Sequence, residues 1–157
     1  MIVDREGGFR AIPDLSSLVA SLQAVLQLEI TIYRESDNLE FEEMVEIFAG
    51  CHVLIGTHGR ELDNLIFMPE NAAVVEVVSR GYLRKAVERL AAVTAVSYFS
   101  ITVGGTWESI EPVPPKLLLS ALGEAIAAVA SGSKRVQTNN FVEKNPCKVK
   151  KNLCLTT

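Results

Sequence analysis

The sequence predicts an α/β fold in which helices cover both faces of a parallel sheet of about five strands. Short apolar runs rich in β-branched residues alternate with stretches of helical periodicity along residues 1–130. The crossovers between successive strands are long enough for parallel pairing, which needs roughly a dozen residues or more. We therefore predict a Rossmann-like domain over residues 1–130.

Five strands are predicted from apolar runs that are short, β-branched or alternating. They are MIVD (1–4), LEITIY (28–33), HVLIG (52–56), AAVVEVV (72–78) and VSYFSITV (96–103). Helices are predicted between them, where apolar residues recur three and four positions apart. The predicted helices are residues 15–25, a segment that begins at 36–38 and ends at Gly50, a short segment after residue 59, residues 80–93 and about residues 116–130.

Composition and charge exclude several classes of function. The 157 residues are 48% hydrophobic and 22% charged, as in an ordinary globular domain. No apolar run approaches the roughly 20 residues of a membrane helix, and the N-terminus is not a secretory signal. The whole chain has a net charge of −4, and residues 134–157 hold six basic residues against one glutamate. The other residues therefore carry 9 basic and 18 acidic side chains, and such an acidic body does not suit nucleic-acid binding. We expect residues 131–157 to form a disordered basic tail.

Known fingerprints for cofactors, metals and nucleophiles are absent from the sequence. There is no G-x-G-x-x-G, no G-x-x-x-x-G-K-[ST] and no G-x-S-x-G. The three cysteines, Cys51, Cys147 and Cys154, have no metal-ligand spacing with each other or with His52 and His58. An odd number of cysteines leaves their disulfide state open.

Three loops at the carboxyl ends of predicted strands carry unusual residues, and ligands of open parallel sheets bind at that edge. Arg5 and Arg10, in REGGFR, offer planar forks of donors that suit phosphates. His58 and Gly59, in GTHG, precede a helix N-terminus that attracts anions. Glu76 is a carboxylate in an apolar strand, where it needs partners. The structural alternatives are solvated arginines, a tight turn and a strand-end charge that reaches solvent.

The segments IVDREGGFRAIPDLSSLVASLQ and LEFEEMVEIFAGCHVLIGTHGRELDNLIFMPENAAVVEVV resemble the C-terminal, donor-binding half of glycosyltransferase family 61. The likeness covers about residues 1–80, and its most specific part is the register of HG, L, N, F-MP and VVEV. It implies a GT-B enzyme of the Golgi or endoplasmic reticulum lumen. Such an enzyme transfers a sugar from a UDP-sugar to a protein or polysaccharide acceptor, with inversion and without a bound metal or cofactor. An acceptor domain, the base and any membrane anchor would lie upstream of Met1.

The resemblance implies six donor-binding residues by position: Arg5, Arg10, His58, Gly59, Asn64 and Glu76. The arginines would face the diphosphate, and the histidine and glycine would form the turn at the donor. The asparagine would support that turn or the donor, and the glutamate would lie by the nucleoside. The resemblance carries over no catalytic residue.

The sequence departs from the family pattern beside the histidine. Arg60 and Glu61 stand where the family has small residues, Asp63 replaces a threonine or serine, and Met44 replaces a glutamine. Two interpretations follow. The chain is a fragment or divergent member of a glycosyltransferase, able to transfer a hexosyl or pentosyl group if an acceptor domain completes it. Alternatively, it is a non-catalytic Rossmann-like remnant or interaction domain.

Overall fold

A computed structural model of the chain describes residues 1–6, 8–80, 82, 85–132 and 136–142, with residue 35 and the last range described by their backbone alone. Within these residues the sheet has six strands, and every pair of neighbours is parallel. In chain order the strands are β1 (Ile2–Asp4), β2 (Ile32–Arg34), β3 (Val53–Thr57), β4 (Ala73–Ser79), β5 (Ser97–Val103) and β6 (Val136–Val142). Their spatial order is β2-β1-β3-β4-β5-β6.

Helices pack on both faces of this sheet. The α-helices are α1 (Leu15–Leu26), α2 (Phe41–Ala49), α3 (Ala86–Thr94) and α4 (Pro115–Ser131), and the 3₁₀ helices are η1 (Glu35–Asp37) and η2 (Arg60–Phe67). One apolar core joins α1 and α4 to one face of the sheet. A second core joins α2, η2 and α3 to the opposite face. The predicted Rossmann-like α/β fold is confirmed.

The structure adds a strand that the sequence did not predict. Strand β6 lies within residues 131–157, the segment expected to be a disordered tail, and contradicts that expectation for residues 136–142. Its backbone pairs with β5 at the edge of the sheet. An edge strand can be held by backbone hydrogen bonds alone, and a polar sequence such as VQTNNFV therefore gives no apolar signal. Residues 133–135 and 143–157, with Cys147 and Cys154, lie outside the described residues, and Cys51 is a buried free thiol.

Two predicted helices begin later than their periodicity indicated. Helix α2 begins at Phe41 instead of near residue 37, because Asn38 has a positive φ of 46° that interrupts the helical backbone. Helix α3 begins at Ala86 instead of residue 80. The Arg80 N–H bonds the Val103 carbonyl 2.9 Å away, which extends the pairing of β4 with β5 past the predicted helix start.

Gly56 in β3 determines how closely η2 approaches the sheet. A Cβ atom at this position would lie 2.9 Å from Leu62 Cδ2 and 3.2 Å from Val3 Cβ. Leu62 and Leu65 of η2 are fully buried against the same face. The missing side chain at Gly56 therefore allows η2, which follows the histidine turn, to lie flat on β3.

Candidate functional site

The order of the strands creates a crevice at the carboxyl edge of the sheet. The chain leaves β1 for β2 on one side, then returns to place β3 on the other side of β1. Such a reversal of strand order is where open α/β sheets bind ligands. The loop after β1 carries Arg5 and Arg10, and the loop after β3 carries His58 and Gly59. The structure thus brings both loops, and with them these four predicted residues, to the same edge of the sheet.

Arg5 is already paired inside this crevice. Its guanidinium forms a short ion pair and hydrogen bond with the Glu61 carboxylate of η2, and both side chains are largely buried. Arg5 Nη1 also donates to the Phe9 carbonyl oxygen 3.2 Å away. Burial raises the pKa of Glu61, but the hydrogen bond from Arg5 and the charges of Arg5 and Arg10 outweigh it, so the net pKa is lowered. Glu61 is therefore an anion on the arginine that the sequence assigned to the diphosphate.

The ion pair of Arg5 and Glu61 lies close to the backbone of Gly59, in space that a side chain at this position would occupy. A Cβ atom at Gly59 would collide with the Arg5 guanidinium and would lie 2.7 Å from Glu61 Oε2. Alanine at this position would therefore displace one of the two charged side chains. The glycine of the turn therefore gives the Arg5 side chain room beside the backbone.

His58 is fully buried, with 0% of its surface exposed. Its ring stacks on Tyr82 with centroids 3.7 Å apart, and Nε2 lies 3.3 Å from the Trp107 carbonyl oxygen. Nδ1 is buried and has no hydrogen-bond partner among the described residues. Burial, followed by the charge of Arg10, lowers the pKa of His58 to about 4. The imidazole is thus neutral at pH 7 and, in this structure, joins loops together rather than facing solvent.

Arg10 lies on the same side of the crevice as Trp107. Its backbone N–H bonds the Glu108 carbonyl 2.9 Å away, and its guanidinium carbon lies 5.9 Å from the centre of the Trp107 ring. Nε of Arg10 is buried without a hydrogen-bond partner among the described residues. Burial and then the charge of Arg5 lower the pKa of Arg10, and an arginine keeps its charge regardless. Arg10 also lines a cavity beside Arg5, and two guanidiniums at one cavity suit an anionic ligand.

A cavity of about 450 Å³ opens beside Arg5, Arg10 and Glu61. Its lining is Asp4, Arg5, Glu6, Gly8, Phe9, Arg10, Ser36 and Glu61. The lining combines two guanidiniums, three carboxylates and one exposed aromatic ring. The cavity volume lies within the range of small-molecule sites, which is about 300–1,000 Å³.

Asn64 and Glu76 do not line this cavity. Asn64 is half-buried in η2, and its side chain has no hydrogen bond among the described residues. Glu76 is 1% exposed in β4, where Oε2 accepts a 2.6 Å hydrogen bond from the Tyr98 hydroxyl and Oε1 has no described partner. Burial raises the pKa of Glu76 to about 7. The structure therefore contradicts the alternative of a strand-end charge that reaches solvent.

Two aromatic residues of the site were missed by sequence reasoning. Tyr82 covers His58, and Trp107 borders Arg10. Tyr82 lies in a segment predicted to be helical, whereas its N–H forms a turn with the Ser79 carbonyl. Trp107 follows Gly104 and Gly105 after the fifth strand, which is a fourth loop at the carboxyl edge. Its position in that loop was the signal that could have identified it.

Among the residues that the structure describes, His, Cys, Asp and Glu side chains form no group of three that could hold a metal ion. Over the same described ranges, none of the helices has the length and apolar character needed to cross a bilayer.

Comparison with known proteins identifies relatives of the part that contains the crevice. Residues 1–75 match the family model described as Glycosyltransferase 61. The EGF domain-specific O-linked N-acetylglucosamine transferase of Gallus gallus is 35% identical over 80 residues, which are 48% of this chain and 14% of that protein. The protein of the same name from Xenopus laevis is 32% identical over 117 residues, which are 73% of this chain and 21% of that protein.

The chain therefore spans 14% and 21% of the length of these two curated relatives. The matched segment contains β1, β2, β3 and η2, and with them the loops that carry Arg5, Arg10 and His58. The resemblance to glycosyltransferase family 61 is therefore confirmed over residues 1–75, which match its family model.

Proposed function

We propose that this chain forms the UDP-sugar-binding half of an inverting GT-B glycosyltransferase that acts on a protein or polysaccharide acceptor in the Golgi or endoplasmic reticulum lumen. One observation carries the proposal: Arg5 and Arg10, both inside the family-matched segment, flank a cavity at the switch point of the sheet. Both relatives are named as N-acetylglucosamine transferases, which makes UDP-N-acetylglucosamine the first donor to test.

The proposed chemistry assigns the arginines to the leaving group. An acceptor hydroxyl attacks the anomeric carbon, its proton passes to a base supplied by the rest of the enzyme, and the bond from that carbon to UDP breaks. Negative charge grows on the departing diphosphate, where fixed guanidiniums stabilise it most. Neutral His58 holds the loop after β3 in place, through Trp107 and Tyr82, and takes no proton in this scheme.

Arg10→Ala is expected to weaken UDP binding by tenfold or more. Its guanidinium lines the cavity, so a phosphate oxygen bound there would accept a charge-assisted hydrogen bond from it. Such bonds contribute roughly 1.5–3 kcal/mol, and 1.4 kcal/mol is a factor of about ten in affinity. Isothermal titration of the chain with UDP, UDP-N-acetylglucosamine and UDP-xylose at millimolar concentration measures the effect.

Arg89→Ala is the matched control, because it removes the same charge from an exposed position on α3. Equal affinities for UDP in the Arg10 and Arg89 variants would remove Arg10 from the site. Absence of heat with all three ligands, in the native chain and after the Glu61 substitution described in the Discussion, would contradict the proposal.

A second function is favoured by a different observation. Glu61 occupies the Arg5 guanidinium, and it stands where the family has a small residue. A non-catalytic Rossmann-like remnant or interaction domain would have lost its donor site in this manner. The same titrations separate the two functions, since the remnant binds no UDP even when Glu61 is neutralised.

A further inference from the structure

We propose that Trp107 is the platform on which the base of a nucleoside diphosphate stacks, an inference that rests on the proposed function. Trp107 is the single tryptophan of the chain, and 64% of its surface is exposed. A tryptophan combines a large apolar ring with a polar N–H, and such rings are enriched at interfaces where one end is apolar and the other is wet. Its ring borders Arg10, which lines the cavity.

A short turn fixes the position of this ring. Gly105, with a φ of +115°, pairs with Ile110 in an antiparallel bridge, and Ile110 is buried in the core. Between them the Thr106 N–H bonds the Ser109 carbonyl at 3.1 Å, and the Ser109 N–H bonds the Thr106 carbonyl at 3.3 Å. Trp107 therefore stands at the tip of a hydrogen-bonded turn and not on a free loop.

The turn is also tied to both loops that carry the candidate site residues. The Trp107 carbonyl contacts His58 Nε2 from the loop after β3, and the Glu108 carbonyl accepts from the Arg10 N–H in the loop after β1. Both contacts use backbone carbonyls, so the indole itself is not needed to hold the turn. The side chain is free to contact a ligand, and truncating it leaves the attachment of the loops intact.

The chemistry of a nucleoside diphosphate matches the arrangement of ring and guanidiniums. A base presents a flat π-face to an aromatic ring, while its phosphates need cationic donors. Trp107 offers the ring, and Arg10, whose guanidinium carbon lies 5.9 Å from the ring centre, offers a cation. Phe9 is a second exposed ring, 69% exposed, but it lies in the cavity lining between the arginines, where the phosphates would be. The geometry therefore favours Trp107 for the base.

Because the chain has one tryptophan, its fluorescence reports on this residue alone. We expect UDP to quench the emission and inorganic pyrophosphate to leave it nearly unchanged, although both compete for the arginines. Trp107→Ala is expected to lower UDP affinity about tenfold, within the range of base stacking on aromatic side chains, and to leave pyrophosphate affinity unchanged. Trp107→Phe, which keeps a ring, should fall between the two.

Phe41→Ala is the matched control, because it removes an aromatic ring of similar exposure from α2, outside the cavity lining. UDP binding that neither quenches Trp107 nor weakens in Trp107→Ala would overturn this inference and leave the proposed function standing. A loss of UDP affinity in Phe9→Ala alone would assign the base to Phe9. If neither UDP nor pyrophosphate binds, the proposed function fails, and this inference fails with it. Circular dichroism of each variant checks that the fold is retained.

Discussion

Glu61→Gln is expected to bind UDP about tenfold more tightly than the native chain. The Glu61 carboxylate holds the guanidinium of Arg5, and the charge of Arg10 also acts on it. A phosphate oxygen must displace this anion before it can use Arg5. Glutamine keeps the shape of the side chain and removes the charge, so the competing interaction falls by roughly 1.5 kcal/mol, which is about tenfold in affinity. Calorimetric titration with UDP compares the two chains directly.

Glu70→Gln provides the control for this substitution. Glu70 is exposed and precedes β4 at the opposite edge of the sheet, and the change in net charge is the same. A gain in affinity shared by both variants would indicate a general electrostatic effect, and unchanged affinity in Glu61→Gln would show that Glu61 does not compete with the ligand. A gain specific to position 61 would favour the glycosyltransferase over the remnant, because the site beneath the glutamate would still accept UDP.

Glu76 is expected to make the native chain less stable as the pH rises from about 4.5 to about 7. Burial raises its pKa from 4.5 to about 7, so the folded state binds a proton that the unfolded state releases in this range. The stabilising contribution is complete below pH 4.5 and is lost as the pH passes 7. It amounts to about 3 kcal/mol of the free energy of unfolding. Glu76→Gln removes this dependence while keeping an oxygen for the Tyr98 hydroxyl.

The groups that face Glu76 come from three elements. Tyr98 of β5 donates the hydrogen bond, whereas Glu88 of α3 and Asp63 of η2 add negative charge that raises the pKa further. Urea unfolding at intervals between pH 4 and pH 8 measures the profile for the native chain and for Glu76→Gln. Parallel profiles would show that Glu76 is not the titrating group.

His58 gives the free energy of unfolding a pH dependence opposite in sign to that of Glu76. Its pKa is lowered from 6.5 to about 4, so its contribution is present above pH 6.5 and is lost as the pH falls towards 4. Between pH 4.5 and pH 6.5 the two groups oppose each other, and the native profile is flatter than either alone. Glu76→Gln should therefore gain stability as the pH rises through this window. His58→Phe keeps a ring on Tyr82 but cannot titrate, so this variant should become less stable as the pH rises through the same window.

The sequence predicted the central strands closely, since they are apolar, β-branched and covered on both faces. Strands β3, β4 and β5 each lie within one residue of their predicted start. Strand β6 was missed because an edge strand needs only backbone pairing, and α3 was predicted too early because Arg80 continues the sheet. Apolar patterning reports burial. It does not report which backbone groups find partners.

The location of the candidate site could be predicted from the sequence, but the ion pairing and burial of its side chains could not. The convergence of Arg5, Arg10 and His58 follows from placing each loop at the carboxyl end of a parallel strand. Which side chain pairs with Arg5 depends on the packing of η2 on Gly56, and the burial of His58 depends on Tyr82 and Trp107. Contacts between distant loops are fixed by tertiary packing, which local patterns do not encode.

The position of β1 between β2 and β3 has a consequence for how the crevice is assembled. Arg5 and Glu61 are 56 residues apart, and they meet only after the chain has crossed to β2 and come back. Closing so long a loop loses chain entropy before any contact compensates for it, so such contacts form after local structure. A chain that stopped between β2 and β3 would keep both arginines and still have no crevice. The site is a product of the second crossover and does not belong to the arginine loop alone.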